Sequence, residues 1–226
     1  MRDVVYILRD DLGTDELRYS LRSIEQNFPH RMVWFVGGAP KGYKPDRVLK
    51  HTQFGINKWE RIRSSMYEVI KQDELTEQFY LFNDDFFVMK PFEGEFVNYV
   101  DRTLNDRINE FKAENNMNRY AQTLVAARNE LASKGYNTMN FEVHMPMLFK
   151  KDQVLEAVTK CPSPQMRSIY GNVTGCPYQQ HKDVKVHQAN GVPADMDFIS
   201  TSDKSFLYGE VGAYIRKVFD KECRYE

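Results

Sequence analysis

The chain opens with an apolar run, Val4-Val5-Tyr6-Ile7-Leu8, bounded by charge on both sides. A short continuous run of that kind predicts a strand buried on both faces. Leu17, Leu21, Ile24 and Phe28 then recur at helical spacing. Thr14 stands at the N-cap, and Asp15 and Glu16 lie where carboxylates favour the helix dipole. Met32 to Val36 predicts a second strand, stopped by Gly37-Gly38, and an extended piece follows near Val48 to Thr52. Trp59, Ile62, Met66 and Val69 mark one face of another helix. Phe79-Tyr80-Leu81-Phe82 predicts a third strand, followed by Asn83-Asp84-Asp85 and a second apolar stretch, Phe86-Phe87-Val88.

Strands alternating with helices over short links predict an α/β fold with a mainly parallel, Rossmann-type sheet flanked by helices. Ligands of such sheets bind beyond the carboxyl ends of the strands. That rule selects Arg9 and Asp10, Gly37 and Gly38, and Asn83 to Asp85 by position alone. The pattern changes over residues 92–136. A helical stripe of Tyr120, Leu124, Ala127 and Leu131 ends at Gly135, after a stretch rich in Asn and charge. This segment is expected as a helical insertion within a single domain spanning 1–226, and as a place for acceptor contacts. Beyond it the pattern predicts a strand at Phe141 to His144, a helix from Gln153 to Thr159, strands at Val184 to Val186 and Phe198 to Ser200, and a helix from Glu210 to Phe219.

Totals narrow the function classes. The 226 residues suffice for one substantial core. The 31 basic and 32 acidic residues nearly cancel, so binding to polyanions by counterion release is not the default. Cys161, Cys176 and Cys223 are odd in number and lack Cys-x-x-Cys spacing, which argues against a disulfide framework or a structural zinc site. The first strand is too short and too closely flanked by charge for a signal peptide or membrane anchor. A cytoplasmic location is expected.

The sharpest chemical feature is the pair of carboxylates and the amide of Asn83-Asp84-Asp85 amid aromatic residues. Carboxylates there need a partner or an exposed turn. A hard divalent cation, Mg²⁺ or Mn²⁺, is a natural partner, because it takes carboxylate oxygens and keeps positions open for water and substrate phosphate. The competing reading is a hairpin turn, which these residues also make.

Glu16 to Glu25, together with Phe79 to Phe87, resembles the first two sequence blocks of the Stealth family of sugar-phosphate transferases. His144-Met145-Pro146 resembles that family's later His-containing block, Arg167 the basic residue that follows it, and Ser202-Asp203, more faintly, the last block. The likeness is dense up to about residue 90 and thin beyond. Gly55-Ile56-Asn57-Lys58-Trp59 replaces a stretch usual in the family, leaving only Asn57 comparable. Shortened forms of this pattern are similar to phage-encoded proteins of glycosyltransferase type, whose sheet resembles the GT-A nucleotide-sugar fold.

The resemblance implies a metal-dependent glycosyltransferase with a nucleotide-sugar donor and Mn²⁺ or Mg²⁺ as cofactor. Asp85 and Asp84 would hold the metal. Arg9, Asp10, Lys58 and Asn83 would bind the donor. Asp84, His144, Arg167 and Asp203 would line the reacting side. The acceptor could be a glycan, a protein or a modified phage DNA base. Two alternatives remain open: sugar-1-phosphate transfer, and a non-catalytic binding protein that retains the fold.

Each residue also has a plainer reading. A histidine before a proline is often structural, and Arg167 suits either bidentate phosphate binding or an ion pair. Lys58 opens a helix, against the dipole. Ser202-Asp203 could simply cap a turn. Arg18 and Arg22, one helical turn apart, could reach a phosphate or form a solvated basic face. His181 and His187 are too far apart for a helical metal pair and are assigned structural places.

Overall fold

The computed structural model describes residues 1–9, 14–55, 57–188 and 190–226. Strand β1 (Asp3–Leu8) leads into α1 (Asp15–Asn27), then β2 (Val33–Gly37) and β3 (Arg47–Lys50). Helix α2 (Lys58–Val69) precedes β4 (Gln78–Phe82) and β5 (Phe86–Val88). Residues 92–136 contain β6 (Asn98–Val100) and two helices, α3 (Leu104–Ala113) and α4 (Arg119–Ser133). Then come β7 (Met147–Lys150), α5 (Lys151–Lys160), α6 (Met166–Thr174), β8 (Tyr178–Gln180) and β9 (Lys185–Val186). The last elements are β10 (Phe198–Thr201), α7 (Asp203–Tyr208) and α8 (Glu210–Val218).

The main sheet has five strands in the order β3-β2-β1-β4-β7. The pairings β2 with β3, β1 with β2 and β1 with β4 are parallel, whereas β7 runs antiparallel to β4. The central sheet is therefore mixed, with one antiparallel edge on a parallel frame. Because β7 is reversed, Met147 at its start lies opposite Leu81 near the end of β4. The segment leading into β7 thus arrives at the same sheet edge as the carboxyl ends of β1 and β4.

The first strand is buried on both faces, as its unbroken apolar run predicts. Val5, Phe79, Leu81 and Phe149 face a core shared with the inner sides of α2 to α6, while Val4, Tyr6, Tyr80 and Phe82 face a second core with α1 and β5. This division follows from the period-two alternation of strand side chains. Phe87 turns instead into a third cluster with Phe206, Val211 and Ile215 of α7 and α8.

Asn83-Asp84-Asp85 is not a hairpin. Phe86 N–H donates to the Asn83 carbonyl at 3.2 Å, closing a tight turn, yet the strands on either side belong to different sheets. β4 pairs with β1 and β7, and β5 pairs with β10 in a three-stranded sheet of order β5-β10-β9. The turn is the place where the chain crosses from one sheet to the other.

The strand expected at Phe141 to His144 falls later, at β7. Its backbone groups are taken by side chains, so no ladder forms. Phe141 N–H donates to Ser168 Oγ at 3.2 Å, and His144 N–H to Asp183 Oδ1 at 3.1 Å. The Val143 and Met145 carbonyls accept from Arg167 Nη1 at 3.4 and 2.6 Å. Helix α6, which carries Arg167, packs close against this segment. A Cβ on its Gly171 would enter the contact envelope of the Phe141 ring. Gly175, in the left-handed region at φ 62°, ends the helix. Among the described residues no helix is long and apolar enough to cross a membrane.

Candidate functional site

A cleft of about 730 Å³ opens at the sheet edge where β1 and β4 end, within the range usual for small-molecule sites. Six residues singled out from the sequence line it: Arg9, Lys58, Asn83, Asp84, His144 and Arg167. They come from the end of β1, the start of α2, the turn after β4, the approach to β7, and α6. Asp10 lies outside the described residues.

Arg167 is the most heavily constrained of these. It is only 7% exposed, and its hydrogen bonds go to neutral oxygens: the Val143 and Met145 carbonyls and, from Nη2, Asn83 Oδ1 at 3.3 Å. Its guanidinium also lies over the Phe86 ring, 5.4 Å from the centroid. No carboxylate among the described residues makes a salt bridge to it. Burial depresses its pKa, and Glu142 is the largest of the charges that oppose the fall. Among the described residues, Nε and one Nη2 hydrogen have no partner. A buried cation without a hydrogen-bonded counter-ion is costly unless an anion is brought to it.

Carboxylates gather around the turn. Thr14, the N-cap of α1, accepts from Leu17 N–H and donates from Oγ1 to Asp84 Oδ2 at 3.2 Å, tying the turn to the helix start. Burial and the neighbouring Asp85 raise the Asp84 pKa, while Arg9 and the Thr14 bond oppose the rise. Glu16, buried below the turn, accepts from Thr201 Oγ1 at 2.6 Å. Its pKa is pushed up to about 7, chiefly by burial and further by Asp85, Asp84 and Asp203.

Asp85 does not line the cleft. Its Oδ2 is held by the Lys185 ammonium and by Ser200 Oγ at 3.1 Å, against β9 and β10. Its Oδ1 is buried without a partner among the described residues. Asp203 is exposed at the first position of α7, where Ser202 forms a capping box with Ser205, so Ser202-Asp203 makes a helix cap. Arg18 and Arg22 serve structure. Arg18 pairs with Asp15 and Glu226, and Arg22 reaches Glu226 and the Phe219 carbonyl.

His144 donates from Nδ1 to Asp183 Oδ2 at 2.8 Å. Burial would raise the Asp183 pKa, but the bond and charge of His144 hold it below the usual carboxylate range. His187, assigned a structural place from the sequence, also lines the cleft, whereas His181 is exposed and bonds the Lys182 carbonyl.

Sequence reasoning missed Glu142 and Asp183. Glu142 lines the cleft, accepts from Ser168 N–H at 2.9 Å at the start of α6, and has its pKa raised by burial. A strand over Phe141 to His144 would place Glu142 on the same face as His144, a signal that could have found it. Nothing in the spacing ties Asp183 to His144, 39 positions away. The far wall comes from the segment expected as a helical insertion. Trp59 stacks on Tyr120 with centroids 6.0 Å apart, and Phe111 meets Tyr120 edge-on, so the residues 92–136 supply part of the cleft lining.

The arrangement can therefore bind an anion at Arg167 and Arg9, offer carboxylates to a cation at the turn, and present an imidazole to a reacting group. No family model matches the chain, and no similar curated protein is found.

Proposed function

We propose that the chain is a transferase acting on a nucleotide-activated sugar, with a GT-A-like use of the sheet edge. The observation that carries this reading is Arg167, a buried guanidinium on the cleft wall lacking a salt-bridged carboxylate. A donor diphosphate supplies the missing negative charge and suits the uncommitted N–H groups. Arg9 makes no side-chain hydrogen bond or salt bridge among the described residues, and Lys58 has its ammonium over the Trp59 ring, 5.1 Å from the centroid. Both add positive charge where a nucleotide would lie.

The carboxylates fit Mg²⁺ or Mn²⁺. Among the described residues no group of three or more ligating side chains is assembled. Mg²⁺ sites in phosphate chemistry, however, often use one or two carboxylates, with phosphate and water completing the shell. Asp84 lines the cleft, and Asp85 beside it in the turn keeps an Oδ1 without a partner among the described residues. Burial is the chief reason that the Asp84 and Glu16 pKa values are raised, and the neighbouring carboxylates add to it; a cation would relieve that second part. When bound, the metal would offset the charge growing on the departing diphosphate. Arg167 and Asn83 bind and orient that group, and His144 accepts the proton of an acceptor hydroxyl.

Product analysis tests the reading. With a panel of nucleotide sugars, Mn²⁺ and either water or a wall-glycan extract as acceptor, the wild-type protein is expected to release a nucleoside diphosphate. Asp84→Asn, which preserves shape, is expected to lower that release at least a hundredfold. A nucleoside monophosphate would move the broken bond to the sugar phosphate, as in Stealth-type transfer. Release of neither nucleotide from any donor would overturn the reading.

A further inference from the structure

The His144–Asp183 pair has a geometry that goes beyond a surface ion pair. Both Asp183 oxygens are used on His144: Oδ1 accepts the backbone N–H at 3.1 Å, and Oδ2 meets Nδ1 at 2.8 Å. Oδ1 also accepts from Lys185 N–H at 3.3 Å, which anchors Asp183 at the start of β9. Lys185 in turn holds Asp85 through its ammonium. A two-residue step along the backbone thus links the imidazole to the turn at the other side of the cleft.

The ring has few freedoms left. Its backbone N–H and Nδ1 are fixed by one carboxylate, and the carbonyls of its two neighbours, Val143 and Met145, are pinned by Arg167. Nε2 makes no hydrogen bond among the described residues, while the residue lines the cleft. A carboxylate at Nδ1 selects the tautomer with its proton there, because an ionised carboxylate only accepts. The lone pair is then on Nε2.

We infer that Asp183 is the positioning residue for His144, fixing the imidazole so that Nε2 serves as the base for an acceptor hydroxyl. The geometry stands by itself; the catalytic consequence rests on the transferase reading. In that step the hydroxyl proton passes to Nε2 as the acceptor oxygen bonds to the anomeric carbon. The bond from that carbon to the diphosphate oxygen breaks, and the diphosphate leaves with the electron pair. Asp183 then faces an imidazolium, whose charge it stabilises. The acceptor class implied is a neutral hydroxyl, which needs a base, rather than a group already ionised at neutral pH.

The test is the tautomer. Long-range ¹H–¹⁵N spectra at pH 8, assigned by comparison with His144→Gln, are expected to show His144 protonated on Nδ1 in the wild type. Asp183→Asn keeps the shape but turns an N–H₂ towards Nδ1, so the proton is expected on Nε2. Donor turnover in that variant is expected to fall by about 10² to 10⁴ with KM for the donor unchanged, the range for loss of a positioned base. A wild-type ring protonated on Nε2, or an unchanged tautomer in Asp183→Asn, would overturn the assignment. If the variant does not fold, the wild-type spectrum still decides. If no nucleotide sugar is turned over, the transferase reading fails while the tautomer judges the pair separately.

Discussion

Glu16 shows how burial, with help from neighbouring carboxylates, sets the protonation of a single residue. Its carboxyl is buried under the turn and hydrogen-bonded to Thr201, among Asp84, Asp85 and Asp203, and its pKa rises from 4.5 to about 7. The folded state therefore holds this proton more tightly than the unfolded chain. The contribution to stability is full below pH 4.5 and is lost as pH rises through 7. On the order of 2 kcal/mol is at stake, after allowing for solvent screening. Urea denaturation at pH 5 and pH 8 should show the loss, and Glu16→Gln, which keeps the acceptor for Thr201, should flatten it. An equal slope in the variant would assign the pH dependence elsewhere. The sequence marked Glu16 only as a helix-start carboxylate. Its buried hydrogen bond comes from Thr201, 185 positions away, and no local pattern carries that information.

Among the elements, the segment from Asn140 to Met145 and helix α6 form one unit. The segment has no strand partner, and α6 and Asp183 satisfy its backbone instead, while the helix in turn delivers Arg167. Close approach requires the absence of a side chain at Gly171. Gly171→Val is expected to cost about 1–3 kcal/mol through overpacking against Phe141, and to weaken anion binding by displacing Arg167. Denaturant midpoints and a phosphate titration check both parts, and unchanged values for the two would deny the coupling. The helix itself was hard to read. Its first turn lacks a side-chain cap, and its face mixes Arg167, Ser168 and Asn172 with apolar residues, all buried. By contrast β1, α1 and β4 were legible because apolar period and cap residues agree. Turn chemistry alone does not decide at Asn83 to Asp85, where a hairpin and a crossing between sheets use the same residues. The pairing of β5 with distant β10 decides between them.

At the scale of the molecule, the parallel frame and its reversed edge strand bring distant residues to one place. The rule that ligands bind beyond strand ends selected Arg9 and the turn, and the cleft lies there. It did not foresee that β7 would run backwards and deliver His144 to the same edge. Nor could it separate Asp84 from Asp85, adjacent in sequence but split between the cleft and the small sheet. Asp85 shares its carboxylate with Lys185, so Asp84 is the cleaner residue for probing the cleft.

In the proposed transferase, Arg167 makes this cleft a receptor for the diphosphate of a nucleotide sugar. Thermal unfolding with a panel of nucleotide sugars, with and without Mn²⁺, tests it against Arg167→Met, which removes the charge and retains apolar bulk. A donor at a hundred times its Kd stabilises the folded state by about 2.7 kcal/mol, which raises the wild-type Tm by roughly 5–10 °C. The account predicts such a rise for at least one donor, larger with Mn²⁺, and none in a folded Arg167→Met. No rise with any donor, or the same rise in the variant, would contradict it.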